Sequence, residues 1–201
     1  MKRREFLALA AAAGVVEARQ MEKNGWRLEV DGEGNLLTLR RGTQEFVGFQ
    51  PGRNKPDVTG PARVTQEVRM FDLPDGGIIV RQRIGVERTG DGAVTVRIPR
   101  IIRLADAEAR GLFPMQDGVA RKGTASERAT FRFAGEQPGS EGNRLAVPAV
   151  QEWSPKSEWR ITYCADPTFT TSFGEHFAWT YPADPGVPEG EVRVLYTCLH
   201  K

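Results

Sequence analysis

Ala62-Arg-Val-Thr-Gln-Glu-Val-Arg-Met-Phe-Asp-Leu73, then Pro74-Asp-Gly-Gly77, then Ile78-Ile-Val-Arg-Gln-Arg-Ile-Gly-Val-Glu-Arg88 is the stretch that decides the fold. In the first run Val64, Val68 and Met70 fall on one side, with Thr, Gln, Glu and Arg between them. In the second, Ile78, Val80, Gln82, Ile84 and Val86 oppose Ile79, Arg81, Arg83 and Gly85. A period of two is the signature of a strand with one buried face. Pro-Asp-Gly-Gly between the runs supplies the residues a tight turn needs. A second turn at Asp91-Gly92 leads into Ala93–Leu104, and the three runs together predict a β-meander.

The same signal spreads outward. Trp26–Val30 and Leu36–Arg40 alternate on either side of Asp31-Gly-Glu-Gly-Asn35, which predicts a hairpin. Glu45–Phe49, Glu127–Ala134, Leu145–Trp153, Trp159–Cys164, His176–Tyr181 and Glu191–Leu199 read as further strands. Ala105–Arg110 is the one segment of helix-favouring composition, and it is a single turn long. No amphipathic helix of ten residues follows the N-terminal segment. Many short strands with frequent turns predict an all-β antiparallel sandwich of two sheets.

The N-terminus is of another kind. Lys2-Arg-Arg-Glu-Phe-Leu7 precedes the alanine-rich run Ala8–Val16, and Val16-Glu17-Ala18 ends in a small residue. Adjacent Arg3 and Arg4 before a weakly apolar stretch have the form of a twin-arginine signal. The run is shorter than the about 20 apolar residues a spanning helix needs. Residues 1–18 are therefore expected to be a signal peptide, recognised by the twin-arginine translocase and cleaved near Ala18. Residues 19–201 form one domain, periplasmic or secreted and not held in a membrane after cleavage.

Composition excludes several functions. The formal charge is +2, and the Lys and Arg residues are scattered, so no electrostatic case exists for nucleic acid. The two cysteines, Cys164 and Cys198, are too far apart in sequence for a CxxC site. A disulfide between them and two buried thiols are both open readings. Two histidines, His176 and His200, cannot build a three-histidine zinc site, and no metal or cofactor is expected. Asp31–Asn35 fails as a calcium loop, because Leu36 stands where that loop requires glycine and Gly42 where it requires glutamate.

The segment Cys164–Pro182 is richest in chemistry. Asp166, Glu175 and His176 are the candidate acid–base groups. Trp179 and Tyr181, with Trp153 and Trp159 upstream, are candidate sugar-stacking rings. The rival reading places these rings in the core.

Trp26-x-Leu-x-Val30 with its Gly-rich turn and Leu36-Leu-Thr-Leu-Arg40 resembles the first hairpin of the galactose mutarotase-like super-sandwich, a domain also found in the N-terminal region of bacterial glycoside hydrolases. Leu112-Phe-Pro-Met-Gln-Asp-Gly118 and the strand Arg160–Pro167 resemble later segments of that fold. The resemblance implies a super-sandwich and a carbohydrate ligand. Epimerase members use a histidine acid and a glutamate base on separate strands; here no histidine precedes His176. The expected function is therefore an exported carbohydrate-binding sandwich, acting alone or as an accessory to glycan degradation. Two alternatives stand beside it. One is a sugar epimerase or small glycoside hydrolase using Glu175, His176 and Asp166. The other is a structural or interaction module without a small ligand.

Overall fold

Alternation becomes strand wherever it is strongest. The structure, a computed structural model, describes residues 18–47, 53–104, 108–114, 120–124, 131–133, 149–165, 171–173, 176–181 and 192–201. The strands in chain order are β1 (Arg19–Lys23), β2 (Trp26–Val30), β3 (Leu36–Arg41), β4 (Gln44–Glu45), β5 (Asp57–Thr59) and β6 (Ala62–Asp72). There follow β7 (Ile78–Arg88), β8 (Val94–Pro99), β9 (Arg110–Pro114), β10 (Ala120–Thr124) and β11 (Phe131–Phe133). The last are β12 (Ala149–Trp153), β13 (Arg160–Ala165), β14 (Thr171–Phe173), β15 (His176–Tyr181) and β16 (Val192–His200). No helix occurs among the described residues. Residues 105–107 of the anticipated helical turn lie outside them, and Arg110 already belongs to β9.

Three antiparallel sheets form the sandwich where two were expected. The largest runs β10-β9-β12-β13-β16-β7-β6, the second β11-β14-β15-β8-β5, and the third β1-β2-β3-β4. One hydrophobic cluster joins all three. Tyr163 of the seven-stranded sheet meets Phe177 of the five-stranded sheet at 6.2 Å between ring centroids. Trp26 of the four-stranded sheet meets Trp159, just before β13, edge to face at 4.9 Å. The two smaller sheets thus share the inner side of the large one.

The meander is only half present. β6 and β7 pair in register from Ala62↔Arg88 to Asp72↔Ile78, but β8 leaves for the five-stranded sheet, between β15 and β5. The free edge of β7 is taken by β16 instead. Val94, Val96 and Ile98 are fully enclosed, which satisfies the alternation of β8 equally well in the other layer. The corner from β5 into β6 turns at Gly60, at φ 100°, where a Cβ would stand 2.2 Å from the Ala93 carbonyl oxygen. Only glycine adopts that conformation without strain.

Asp31–Asn35 is a self-bonded turn. Asp31 Oδ1 accepts from the backbone N–H groups of Glu33 and Asn35 at 3.0 and 2.9 Å, and Asn35 Nδ2 donates to Asp31 Oδ2 at 2.8 Å. Gln66 Nε2 on β6 donates to Asn35 Oδ1 at 2.7 Å, tying the turn to the large sheet.

Candidate functional site

The predicted aromatic cluster does not line a cleft. Trp159, Trp179 and Tyr181 are core residues, exposed by only 1%, 4% and 3%. Rings so enclosed offer no face to a sugar. The reason lies in the strand period: in β15 Phe177, Trp179 and Tyr181 point inward, while His176 and Ala178 point to the opposite face. His176, half-buried, therefore cannot share a surface with Trp179 or Tyr181. Inside, the Arg193 guanidinium of β16 lies 5.9 Å and 5.7 Å from the Trp179 and Tyr181 rings. Asp166 and Glu175 lie outside the described residues.

Trp153 differs from the other three. It is half-buried and shares the outer face of the seven-stranded sheet with Ala149 and Gln151, whereas Val150 and Glu152 face the core. That face can be read row by row from the register. Gln151 stands opposite Thr162, Thr162 opposite Cys198, Cys198 opposite Ile79 and Ile79 opposite Phe71. In the next row Ala149, Cys164, Tyr196, Arg81 and Arg69 stand side by side. At the other end Arg160 stands opposite His200.

Hydrogen bonds organise this face. Gln151 Nε2 donates to Thr162 Oγ1 at 3.3 Å, and Thr162 Oγ1 is 2.9 Å from His200 Nε2. Phe71 is 40% exposed, with the Arg81 guanidinium 5.3 Å from its ring. Arg69 pairs with Glu67, and Arg69 and Arg81 hold the Glu67 carboxyl below the usual range, the Arg69 hydrogen bond being the larger cause. The arrangement offers an indole, a phenol, an amide, a hydroxyl, an imidazole and guanidinium donors on one side of one sheet. Sequence reasoning missed Tyr196, Gln151, Thr162 and His200. The available signal was their i, i+2 spacing with Trp153, Cys164 and Cys198.

Cys164 and Cys198 sit in the middle of the same face. Both are free thiols of intermediate exposure. Their strands are neighbours, but Cys198 faces Thr162 and Cys164 faces Tyr196, so the cysteines are diagonal partners. Diagonal residues have Cα atoms about 7–8 Å apart, beyond the roughly 4.4–6.8 Å that a disulfide spans. This register, and not a lack of proximity, disfavours a bridge between the two free thiols. They hydrogen-bond to each other, which draws the Cys164 thiol below its ordinary range; the same contact, with burial, pushes Cys198 far above it.

Beneath this face lies a buried polar group with a structural task. The hydroxyl of fully buried Tyr163 is 2.7 Å from the Ile102 carbonyl oxygen and 2.8 Å from Glu152 Oε2. Glu152 Oε1 accepts from the Leu104 N–H at 2.9 Å. Burial, then the Glu152 carboxyl, holds the Tyr163 hydroxyl well above the usual phenol range. The three contacts pin Ile101–Leu104, the chain between β8 and β9, under the large sheet. A separate groove of about 360 Å³ on the four-stranded sheet is lined by Glu22, Gly25, Trp26, Arg27, Arg40 and Gly42. Glu22 and Arg27 neutralise each other there at 2.8 Å, and its lining includes no predicted site residue among the described ones.

No family model and no curated protein matches the chain. Among solved structures the chain is similar to HI1317, at 8% identity and a TM-score of 0.46, with 92% of each chain covered. It is also similar to a galactose mutarotase-like protein from Lactobacillus casei ATCC 334, at 10% identity and a TM-score of 0.44, covering 92% of this chain and 100% of that one. At these identities the likeness is one of strand arrangement alone and assigns no activity.

Proposed function

We propose that this chain is an exported carbohydrate-binding β-sandwich whose ligand lies on the outer face of the seven-stranded sheet, not against Trp179 and Tyr181. The observation that carries the reading is the gathering of Trp153, Gln151, Thr162, Tyr196, His200 and Arg81 on that face. An aromatic ring covers the apolar side of a sugar, and neighbouring amide, hydroxyl and guanidinium groups meet its hydroxyls. Export by the twin-arginine translocase, with cleavage near Ala18, completes the proposal. β1 begins at Arg19, so such a cut leaves every described strand whole.

The test is a glycan array followed by calorimetry on residues 19–201, with Trp153→Ala and Trp179→Phe alongside. Binding that weakens roughly five- to thirty-fold in Trp153→Ala, a loss of about 1–2 kcal/mol, and persists in Trp179→Phe supports the reading. A second reading, an interaction module without a small ligand, is favoured by the enclosure of Trp159, Trp179 and Tyr181 in the core. Absence of binding to any saccharide would establish it over the first.

A further inference from the structure

The free thiol pair serves neither the core nor the sugar-binding reading. Cys164 and Cys198 are diagonal neighbours across the β13–β16 seam on the outer side of the sheet, both of intermediate exposure. Their diagonal register opposes a disulfide, whose sulfurs must close to about 2.05 Å. It leaves room for a bridging ion, because a linear sulfur–metal–sulfur unit holds the sulfurs at twice the metal–sulfur bond length, well beyond the roughly 2.05 Å of a disulfide. No group of three or more His, Cys, Asp or Glu side chains able to hold a metal gathers among the described residues. Among the described residues the pair therefore offers two sulfur ligands, a set matched to an ion of low coordination number and not to four-coordinate zinc or six-coordinate calcium. Thiolate sulfur selects soft d10 ions, and of these the monovalent copper ion accepts two ligands in a line.

We propose that Cys164 and Cys198 form a two-coordinate site for Cu(I). Binding replaces both thiol protons: two S–H bonds break, two Cu–S bonds form, and two protons pass to solvent with no change in oxidation state. The resulting bis-thiolate complex carries a net charge of −1. Arg81 and Arg160 are the diagonal neighbours of Cys198 on its two flanking strands, cationic residues on the same face as the anionic complex. His200 is left out of the site, since no third His, Cys, Asp or Glu side chain gathers with the pair among the described residues and its Nε2 meets Thr162 Oγ1 at 2.9 Å.

The experiment uses the reduced, folded protein under anaerobic conditions, titrated with Cu(I) in the presence of the colorimetric chelator bicinchoninate. One Cu(I) per chain should be withheld from the chelator, and the melting temperature should rise on adding one equivalent. Cys164→Ser and Cys198→Ser should each weaken retention at least 100-fold while keeping the apo melting curve. His200→Ala should retain copper like the wild type. Retention unchanged in either serine variant, loss of copper in His200→Ala, or no retention by the wild type would overturn the site. So would a product two hydrogens lighter and free of metal, which would show that the thiols had oxidised to a disulfide.

Discussion

Removing the Tyr163 hydroxyl tests the reading of the buried polar group. A hydroxyl has one proton, yet two acceptor oxygens stand at 2.7 and 2.8 Å from it. Tyr163→Phe deletes both contacts without changing the ring packed against Phe177. It leaves a carboxylate oxygen of Glu152, 3% exposed, with one partner fewer. Hydrogen bonds to charged groups contribute about 1.5–3 kcal/mol, and the orphaned oxygen adds to the loss. We expect a cost of about 3 kcal/mol, or a fall in Tm of roughly 6–12 °C for a domain of this size. Glu152→Gln keeps the shape and can still accept from Leu104 N–H. Its amide can donate to Tyr163, freeing the phenol proton for Ile102, so this change should cost under about 1.5 kcal/mol. A pH series adds an independent check. The folded state holds the phenol proton more tightly than the unfolded state, so the stability linked to Tyr163 is complete below the unfolded value of about 10 and is lost as pH rises above it. The slope should approach about 1.4 kcal/mol per pH unit there, and Tyr163→Phe should remove that component. Urea denaturation at pH 8 and at several values above 10 measures all three. A Tyr163→Phe protein within about 0.5 kcal/mol of wild type, or Glu152→Gln costing as much as Tyr163→Phe, refutes the argument.

Three further outcomes are expected. Gly60→Ala should cost at least about 2 kcal/mol, combining positive-φ strain with the 2.2 Å clash against the Ala93 carbonyl. Gly92→Ala, at φ 121° with open space around it, should cost about 1 kcal/mol in the same urea assay. Trp26→Phe should destabilise more than Trp179→Phe by about 1–2 kcal/mol, because Trp26 Nε1 donates to the Gly76 carbonyl at 3.0 Å while Trp179 Nε1 has no partner among the described residues; equal midpoints would contradict this. Replacing Arg3 and Arg4 together by Lys should leave the protein unprocessed in the cytoplasm, since Lys keeps the charge but not the guanidinium geometry; normal processing of the double variant in a fractionation blot would remove the twin-arginine proposal.

What the sequence revealed depended on whether a strand has one dry face. β2, β6, β7, β13, β15 and β16 alternate burial along their length and were legible. β1 has no buried position, and β5 none either, so neither carries a periodic signal. β8 was legible as a strand but not in its destination, because alternation states which residues face the core and not which strand lies alongside. The site was misread for a related reason. In β15 the rings that attracted attention are the inward set. In β16 the usual contrast is reversed at two positions: Arg193 and Thr197 face the core, while Val194 and Tyr196 face outward. Polarity alone therefore pointed to the wrong side of both strands, and only the register across β12, β13, β16 and β7 assembles the outer face.

The place of β16 has a consequence for how the chain reaches this structure. Val192–His200 lies between β13 and β7, inside the large sheet. Until that segment is made, β6–β7 and β9–β10–β12–β13 are two fragments that share no strand pairing among the described residues, each with an unsatisfied strand edge. Completing the sheet requires joining residues more than a hundred positions apart, such as Cys198 and Ile79. Loop closure on that scale precedes any reward from pairing, so assembly is slow compared with helical proteins of similar stability. During synthesis the two open edges are templates for pairing with other chains. The strand that completes the fold is also the one that removes this hazard, and a chain lacking it would be expected to aggregate instead of folding to a smaller sandwich.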